Sequence, residues 1–321
     1  MHSFESLSEK FNEYFSTRHF PAKPASLYDP ADYFLRLGGK RVRPVISLMA
    51  NELFGEISED AYALAVAIEL FHNFTLIHDD IMDKAPLRRG MQTVHEKYNE
   101  PTALLAGDVM LVVAYDYLNK IDRHYLQRII QLFNKTAKEV CEGQQLDMDF
   151  EHRQRVSYEE YIEMIALKTS VLMASSLQMG AVLGGAGPGN QDHLYAFGKN
   201  LGIAFQVQDD YLDAFGDPAK FGKQVGGDIL ANKKTFLMIH ALEAGSANQV
   251  QELTDIMHFS GPDKVQRVLS IFRACGVDRW AVDLKEKYIS AAFKHLEDAA
   301  IVSVRKQPLH KLAEFLVQRE Y

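Results

Sequence analysis

Residues 58–83 read SEDAYALAVAIELFHNFTLIHDDIMD, twenty-six positions with neither glycine nor proline. Apolar side chains at Leu64, Ala65, Ile68 and Phe71 recur at spacings of one, three and three, as one face of an α-helix requires. Ser58 is suited to cap the first turn, where Glu59 and Asp60 meet the positive end of the helix dipole. The pattern predicts a long, largely buried helix from Ser58 to about Met82. That helix ends on Asp79-Asp80-Ile81-Met82-Asp83.

Working outward, the same DDxxD pattern returns at Asp209-Asp210-Tyr211-Leu212-Asp213. It lies near the end of a second apolar stretch, predicted helical from Asn190 or Asp192 to about Phe215. On a helix, residues i and i+4 project from one face with i+1 beside them, so each motif gathers its carboxylates in one direction. Such carboxylates repel one another, and the negative end of the helix dipole adds to the repulsion. A cation is needed to offset this. Oxygen ligands without His or Cys suit a hard ion, magnesium above all, with phosphate oxygens completing its shell. One DDxxD could be an ordinary solvated helix end; two on separate apolar helices point to a site. Gln206 precedes the second cluster on the same i, i+3, i+4, i+7 face. His72 lies seven residues before Asp79, almost in line with it, although a lone histidine on an apolar helix is ordinarily a satisfied core residue.

The rest of the chain is also helical in pattern. Ser157-Tyr158-Glu159-Glu160 reads as a capping box opening a helix past Lys168 towards Met179. The region from Asp263 onward is mostly helical. Gly184 to Gly189 reads as an inter-helix loop. Alternating strand patterns, repeats and composition shifts are hard to find, so an all-α fold in one domain, 1–321, is expected. The glycine-rich stretch from Gly216 to Gly227 carries Lys220 and Lys223 beside an acidic helix end and is a candidate lid.

The bulk numbers exclude other classes. The chain has 321 residues, a formal net charge of -8 and a pI near 5.8, unlike a general nucleic-acid binder. Its 47% hydrophobic and 24% charged content is that of a soluble globular protein. Cys141 and Cys275 stand far apart without metal-ligand spacing, which fits a reducing compartment. The first residues lack a signal-peptide pattern, and the last lack a prenylation cysteine. No uninterrupted apolar run of about 18 residues, the length of a membrane span, is evident in the sequence. A cytoplasmic protein without stable membrane insertion is expected. Basic residues nevertheless form compact groups: Lys40, Arg41 and Arg43 after Gly38-Gly39; Arg88 and Arg89 in a turn marked by Pro86 and Gly90; Lys168; Lys223; Lys233 and Lys234. Arginine and lysine beside metal-binding carboxylates suit a polyphosphate held from both sides.

These motifs together resemble the trans-isoprenyl diphosphate synthases, the polyprenyl synthetase family. The resemblance is carried by Gly38 to Pro44, His78 to Asp83, Leu87 to Gly90, Thr93 to His95, Leu105 to Asp108, Gly143 to Asp147, Lys168-Thr169, Phe205 to Asp213, and Gly226 to Asp228 with Lys233 to Thr235. They occur in the family's order over residues 38–235, while the last eighty or so carry no diagnostic motif. The resemblance implies an isoprenoid synthase-like helical bundle around a deep central cavity, usually a homodimer. It implies that Asp79, Asp80, Asp83, Asp209, Asp210 and Asp213 bind magnesium, three ions when substrate is present. Arg88, Lys168, Gln206, Lys223 and Lys233 would contact an allylic diphosphate. Lys40, Arg43, His72 and Arg89 would hold isopentenyl diphosphate, with Gly39 and Thr169 also at the substrates. Asp79, Asp83, Lys168, Asp209 and Lys223 would be the catalytic set. No activated nucleophile is required: cations stabilise the departing diphosphate, and the double bond of isopentenyl diphosphate attacks the allylic cation.

The helix that ends at Asp79 also bears on product length. Thr75, one turn deeper on the same face, is small; at ~1.5 Å per residue, Phe74 and Phe71 lie about 7 and 12 Å below Asp79. In the family, an aromatic five positions before the motif with a small residue at four is typical of twenty-carbon synthases. Geranylgeranyl diphosphate is therefore the expected product, with farnesyl diphosphate the alternative. A terpene cyclase would replace the second DDxxD with a different pattern. A non-catalytic partner subunit tends to lose one motif, and both are complete here.

Overall fold

A computed structural model describes residues 1–216, 225–257 and 261–318. The elements in order are α1 (Phe4–Phe15), α2 (Ala25–Arg36), α3 (Val42–Glu52), α4 (Glu59–Met82), β1 (Leu87–Arg88), β2 (Met91–Gln92), α5 (Val94–Lys97), α6 (Glu100–Leu118) and α7 (Arg123–His152). Then come α8 (Tyr158–Ile165), α9 (Val171–Leu183) and α10 (Pro188–Phe215). The chain closes with α11 (Gly227–Leu230), α12 (Phe236–Ala244), α13 (Ala247–Met257), α14 (Lys264–Ala274), α15 (Val277–Asp298) and α16 (Ser303–Gln318). The all-α expectation holds. Among the described residues, the strands are two-residue arms of one hairpin, Leu87 facing Gln92 and Arg88 facing Met91. Arg89 and Gly90 at its tip both have positive φ, 53° and 76°, as a tight two-residue hairpin turn demands.

Local signals read from the sequence are realised. The Ser58 side chain accepts from the Ala61 amide at the start of α4. At Ser157 the full capping box forms, with Glu160 reaching back to the Ser157 amide at 2.9 Å. The helix from Tyr158 does pass Lys168, but residues Ala166–Ser170 form one π-helical turn between α8 and α9. Sequence periodicity gives no sign of that extra residue in the turn. The candidate lid falls mostly on residues 217–224, including Lys223, which lie outside the described residues.

Contacts group the chain into two compact units. The first holds Met1–Phe133, Ser176–Asp192 and Ile301–Leu309. Here α4 is apolar on nearly all sides and packs against α3 and α6, burying Leu64, Val66, Ile68, Leu70 and Phe71. A side chain at Gly180 would place its Cβ 2.0 Å from the Ser47 carbonyl oxygen, so only glycine lets this backbone lie against α3. The second unit holds Asn134–Ser175, His193–Ala300 and α16 from His310 onward. Its core gathers Val207, Phe236, Leu253, Phe272 and Val277.

Contrary to the sequence expectation, three helical stretches are long and apolar enough, by length and composition, to cross a membrane: Glu59–Met82, Glu100–Leu118 and Tyr158–Leu183. Isolated charged residues interrupt each of them, so none is an unbroken apolar run. The first and third are largely buried within the protein, whereas α6 exposes Leu104, Leu105 and Val112 at 49%, 55% and 59%.

Candidate active site

In the first unit, Gly38 and Gly39 take φ of 78° and 146°, and Arg41 follows in the left-handed region at 50°. This backward bend caps α3 and displays Lys40 on its exposed outer side. A Cβ at Gly39 would come 2.9 Å from Arg89 Nη2, so glycine makes room for that guanidinium. Arg41 itself turns inward. Its guanidinium meets Glu69 and donates to the Leu35 carbonyl at 2.9 Å. Asn73 Nδ2 donates to the same Glu69 oxygen at 2.7 Å. Arg43 Nη1 lies 3.2 Å from His72 Nε2. Burial first, and then Arg43 and the neighbouring arginines, push the His72 pKa well below its usual value. His72 is therefore neutral and accepts from Arg43. The sequence choice between core histidine and ligand position resolves to a half-buried histidine joined to Arg43.

At the end of α4, Asp80 is buried while Asp83 is exposed. Arg88 Nε approaches the Asp80 oxygens at 2.8 and 2.9 Å, and Nη2 lies 3.6 Å from Asp79 Oδ2. Burial raises the Asp80 pKa despite the lowering by Arg88. The desolvation cost thus exceeds what one guanidinium returns, and further positive charge is welcome there. Phe74 and Phe71 sit one and two turns deeper, centroids 5.7 Å apart, and Thr75 turns its hydroxyl onto the His72 carbonyl at 2.8 Å.

In the second unit, Gly143 of α7 is the close-approach point. A Cβ there would lie 2.2 Å from the Lys168 amide nitrogen. The π turn presents Lys168 and Thr169; Lys168 Nζ meets Asp147 Oδ2 at 2.5 Å, and Thr169 Oγ1 is 3.5 Å from Gln206 Oε1. Gln206 in turn donates to Asp210 Oδ1 at 2.9 Å, as its spacing on α10 predicts. Tyr161 donates its hydroxyl to the other Asp210 oxygen. Burial, then Asp228, pushes the Asp210 carboxyl up to about 7, against the lowering by Tyr161, Gln206 and Lys233. The Asp213 carboxylate accepts from the Asp228 amide at 3.0 Å, and Lys233 Nζ lies 3.7 Å from Asp228. Asp147, Tyr161, Lys168, Gln206, Asp210 and Lys233 line a cavity of about 130 Å³.

Thus Lys40, Arg43, His72, Arg88, Arg89 and the first three aspartates belong to one unit. Lys168, Thr169, Gln206, Lys233, Asp209, Asp210 and Asp213 belong to the other. Lys223 lies outside the described residues. Among the described residues no three His, Cys, Asp or Glu side chains converge as a ready-made cage. Sequence reading gave no role to Glu69, Asp147, Tyr161 or Asp228, and it grouped Arg41 with the polyphosphate-facing cations, whereas Arg41 is buried on Glu69. Asp147 and Asp228 carry a signal, since each closes a quoted motif. Tyr161 carries none, because its partner is 49 residues away.

A helical protein with two DDxxD helix ends, each backed by arginine, lysine or amide donors, is built to handle diphosphates. The chain belongs to the polyprenyl synthetase family, whose profile matches residues 24–275. It is 39% identical over 302 residues to the geranylgeranyl pyrophosphate synthase of Geoglobus acetivorans, covering 93% of this chain and 92% of that one. It is 35% identical over 330 residues to the geranylgeranyl diphosphate synthase of Saccharolobus solfataricus, covering 99% of each. Among solved structures, one geranylgeranyl pyrophosphate synthase aligns over 100% of both chains with a TM-score of 0.95 and 43% identity. The protein is a prenyltransferase with the isoprenoid synthase helical fold.

Proposed function

We propose that this chain is a magnesium-dependent, homodimeric, cytoplasmic geranylgeranyl diphosphate synthase that adds isopentenyl diphosphate to an allylic diphosphate. The observation that carries the product length is the α4 face below Asp79. Thr75 is small and its hydroxyl is spent on its own helix backbone, whereas Phe74 and Phe71 form an aromatic pair deeper along the helix. Relatives bearing the twenty-carbon name agree with that reading. The contact between those two aromatics also favours a second reading, a fifteen-carbon stop.

The donor set suits magnesium. All six motif side chains offer carboxylate oxygens, and the buried Asp80 and Asp210 both have pKa values raised by burial, which a nearby cation relieves. Magnesium keeps water and substrate phosphates in its shell, so a few carboxylates suffice to hold it. When bound, the metal neutralises charge on the departing diphosphate. In the first unit Arg88, and in the second Lys168 and Lys233, supply fixed positive charge suited to a diphosphate, and Gln206 adds an amide donor. Lys40, Arg43 and Arg89 hold the second diphosphate, with neutral His72 accepting from Arg43 and fixing its direction. The allylic C–O bond breaks, the isopentenyl double bond closes the new C–C bond, and the proton lost passes to the released diphosphate.

The test is incubation with magnesium, isopentenyl diphosphate and, in parallel, dimethylallyl, geranyl and farnesyl diphosphates, with product sizing by mass spectrometry. Twenty carbons are expected, and Thr75→Phe should shorten the product. A fifteen-carbon stop selects the second reading; absence of elongation by folded protein refutes the proposal.

A further inference from the structure

Phe74 is gripped from both sides. Towards the core its ring meets Phe71, which is fully buried and meets Phe133 edge-on at 5.2 Å; Phe133 meets Tyr115 at 5.4 Å. That side is a rigid stack. Towards the acidic motif Phe74 meets the His78 imidazole edge-on, centroids 4.7 Å apart at 65°. His78 is the exposed end of the series, its side chain 19% accessible.

The imidazole is itself anchored on α6. Its Nε2 lies 3.1 Å from the Leu104 carbonyl oxygen, and because a carbonyl only accepts, that nitrogen carries the hydrogen. Asp108 Oδ1 lies 3.7 Å from the same nitrogen and favours the same tautomer. The seat exists because residue 107 is glycine: a Cβ there would stand 2.4 Å from His78 Nε2 and 2.5 Å from Cδ2. The helical conformation asks nothing of a glycine at this point, so the glycine serves the imidazole.

We propose that His78 is a positioning residue for product length: seated on α6 at Gly107 and the Leu104 carbonyl, it holds the Phe74 ring in place as a stop to the growing chain. This rests on the length reading given above. An aromatic supported on both sides resists being pushed aside by an advancing isoprenoid, whereas one supported on the core side alone swings away. His78 touches no reacting atom in this role; it acts through Phe74.

The experiment sizes products from dimethylallyl diphosphate for the wild type, Phe74→Ala, His78→Ala and the double variant. Gly107→Ala is added as a second way to dislodge the imidazole. Losing one edge-on aromatic contact should raise the share of products longer than the wild-type product about two- to tenfold in His78→Ala. Gly107→Ala should move the ratio in the same direction. The double variant should match Phe74→Ala, because His78 has nothing left to hold. A purely structural role would lower melting temperature and total turnover while leaving the product ratio unchanged. Unchanged ratios in both His78→Ala and Gly107→Ala, or effects of His78→Ala and Phe74→Ala that simply add, overturn the proposal. If Phe74→Ala itself lengthens nothing, the length reading falls and the role of His78 falls with it. If Phe74→Ala lengthens and His78→Ala does not, only the role of His78 falls.

Discussion

Individual side chains here are held in protonation states that their neighbours decide. His72 is the clearest case, because burial and four arginines all oppose its charging. Its folded pKa lies below the unfolded value near 6.5, so below that pH the unfolded chain takes up a proton that the folded one refuses. Stability from this residue is complete above about pH 6.5 and falls as pH drops, by at most about 1.4 kcal/mol per unit. His72→Gln should flatten the loss between pH 6.5 and 4.5 in denaturant titrations; an unchanged pH profile would mean that His72 charges freely. Tyr161 makes a second test. Tyr161→Phe removes one of the donors to Asp210 and leaves Gln206 in place. The magnesium concentration for half-maximal rate should rise about three- to tenfold with the fold intact. A tyrosine that only fills core volume would leave it unchanged.

The helices show why some of this was legible and some was not. Caps are local, so Ser58 and Ser157 announced where α4 and α8 begin. Ser157→Ala should cost about 1 kcal/mol in thermal or denaturant unfolding and leave the rate per folded molecule unaltered. The two acidic motifs were legible because i, i+4 spacing is itself a geometric statement. Close approach between helices was not legible, because a glycine in a helical sequence looks like a weakness and not a contact. Gly143→Ala should drive a methyl group into the backbone of the π turn, which cannot give as a flexible side-chain end would. A loss of about 2–4 kcal/mol is expected, with a fall in turnover because Lys168 moves. Wild-type melting behaviour would show that the two helices separate easily. The pairing of Arg41 with Glu69, 28 residues apart, was hidden for a similar reason: the adjacent Lys40 and Arg43 looked equivalent to it until the left-handed turn sent Arg41 inward.

At the scale of the whole molecule the informative feature is α6. A helix of mean hydropathy 1.3 with only 39% of its apolar window buried leaves Leu104, Leu105 and Val112 uncovered. A second copy of the chain is the proposed cover, in line with the homodimer put forward above. Leu105→Asp with Val112→Asp should convert the dimer to a monomer by light scattering; a wild-type chain that is already monomeric would refute the dimer. Global composition was a poor guide in one respect. Unbroken apolar runs are a poor index of membrane-length helices, because Glu69, His72, Asp79 and Asp80 sit inside such a helix and each meets an arginine.

The π turn at Ala166–Ser170 has a consequence for how the gene can vary. Relative to a regular helix it accommodates one extra residue, and the wider turn takes up that residue so that α8 and α9 run on as one helical stretch. Deleting a single codon there would let the turn close to ordinary α geometry, keeping Leu172, Leu177 and Met179 in register while withdrawing the bulge that sets Lys168 and Thr169 forward. Homologues that keep a lysine at this place should therefore tolerate insertions and deletions in the loops on either side, while a deletion within these five residues spares the helix and takes away the lysine's presentation.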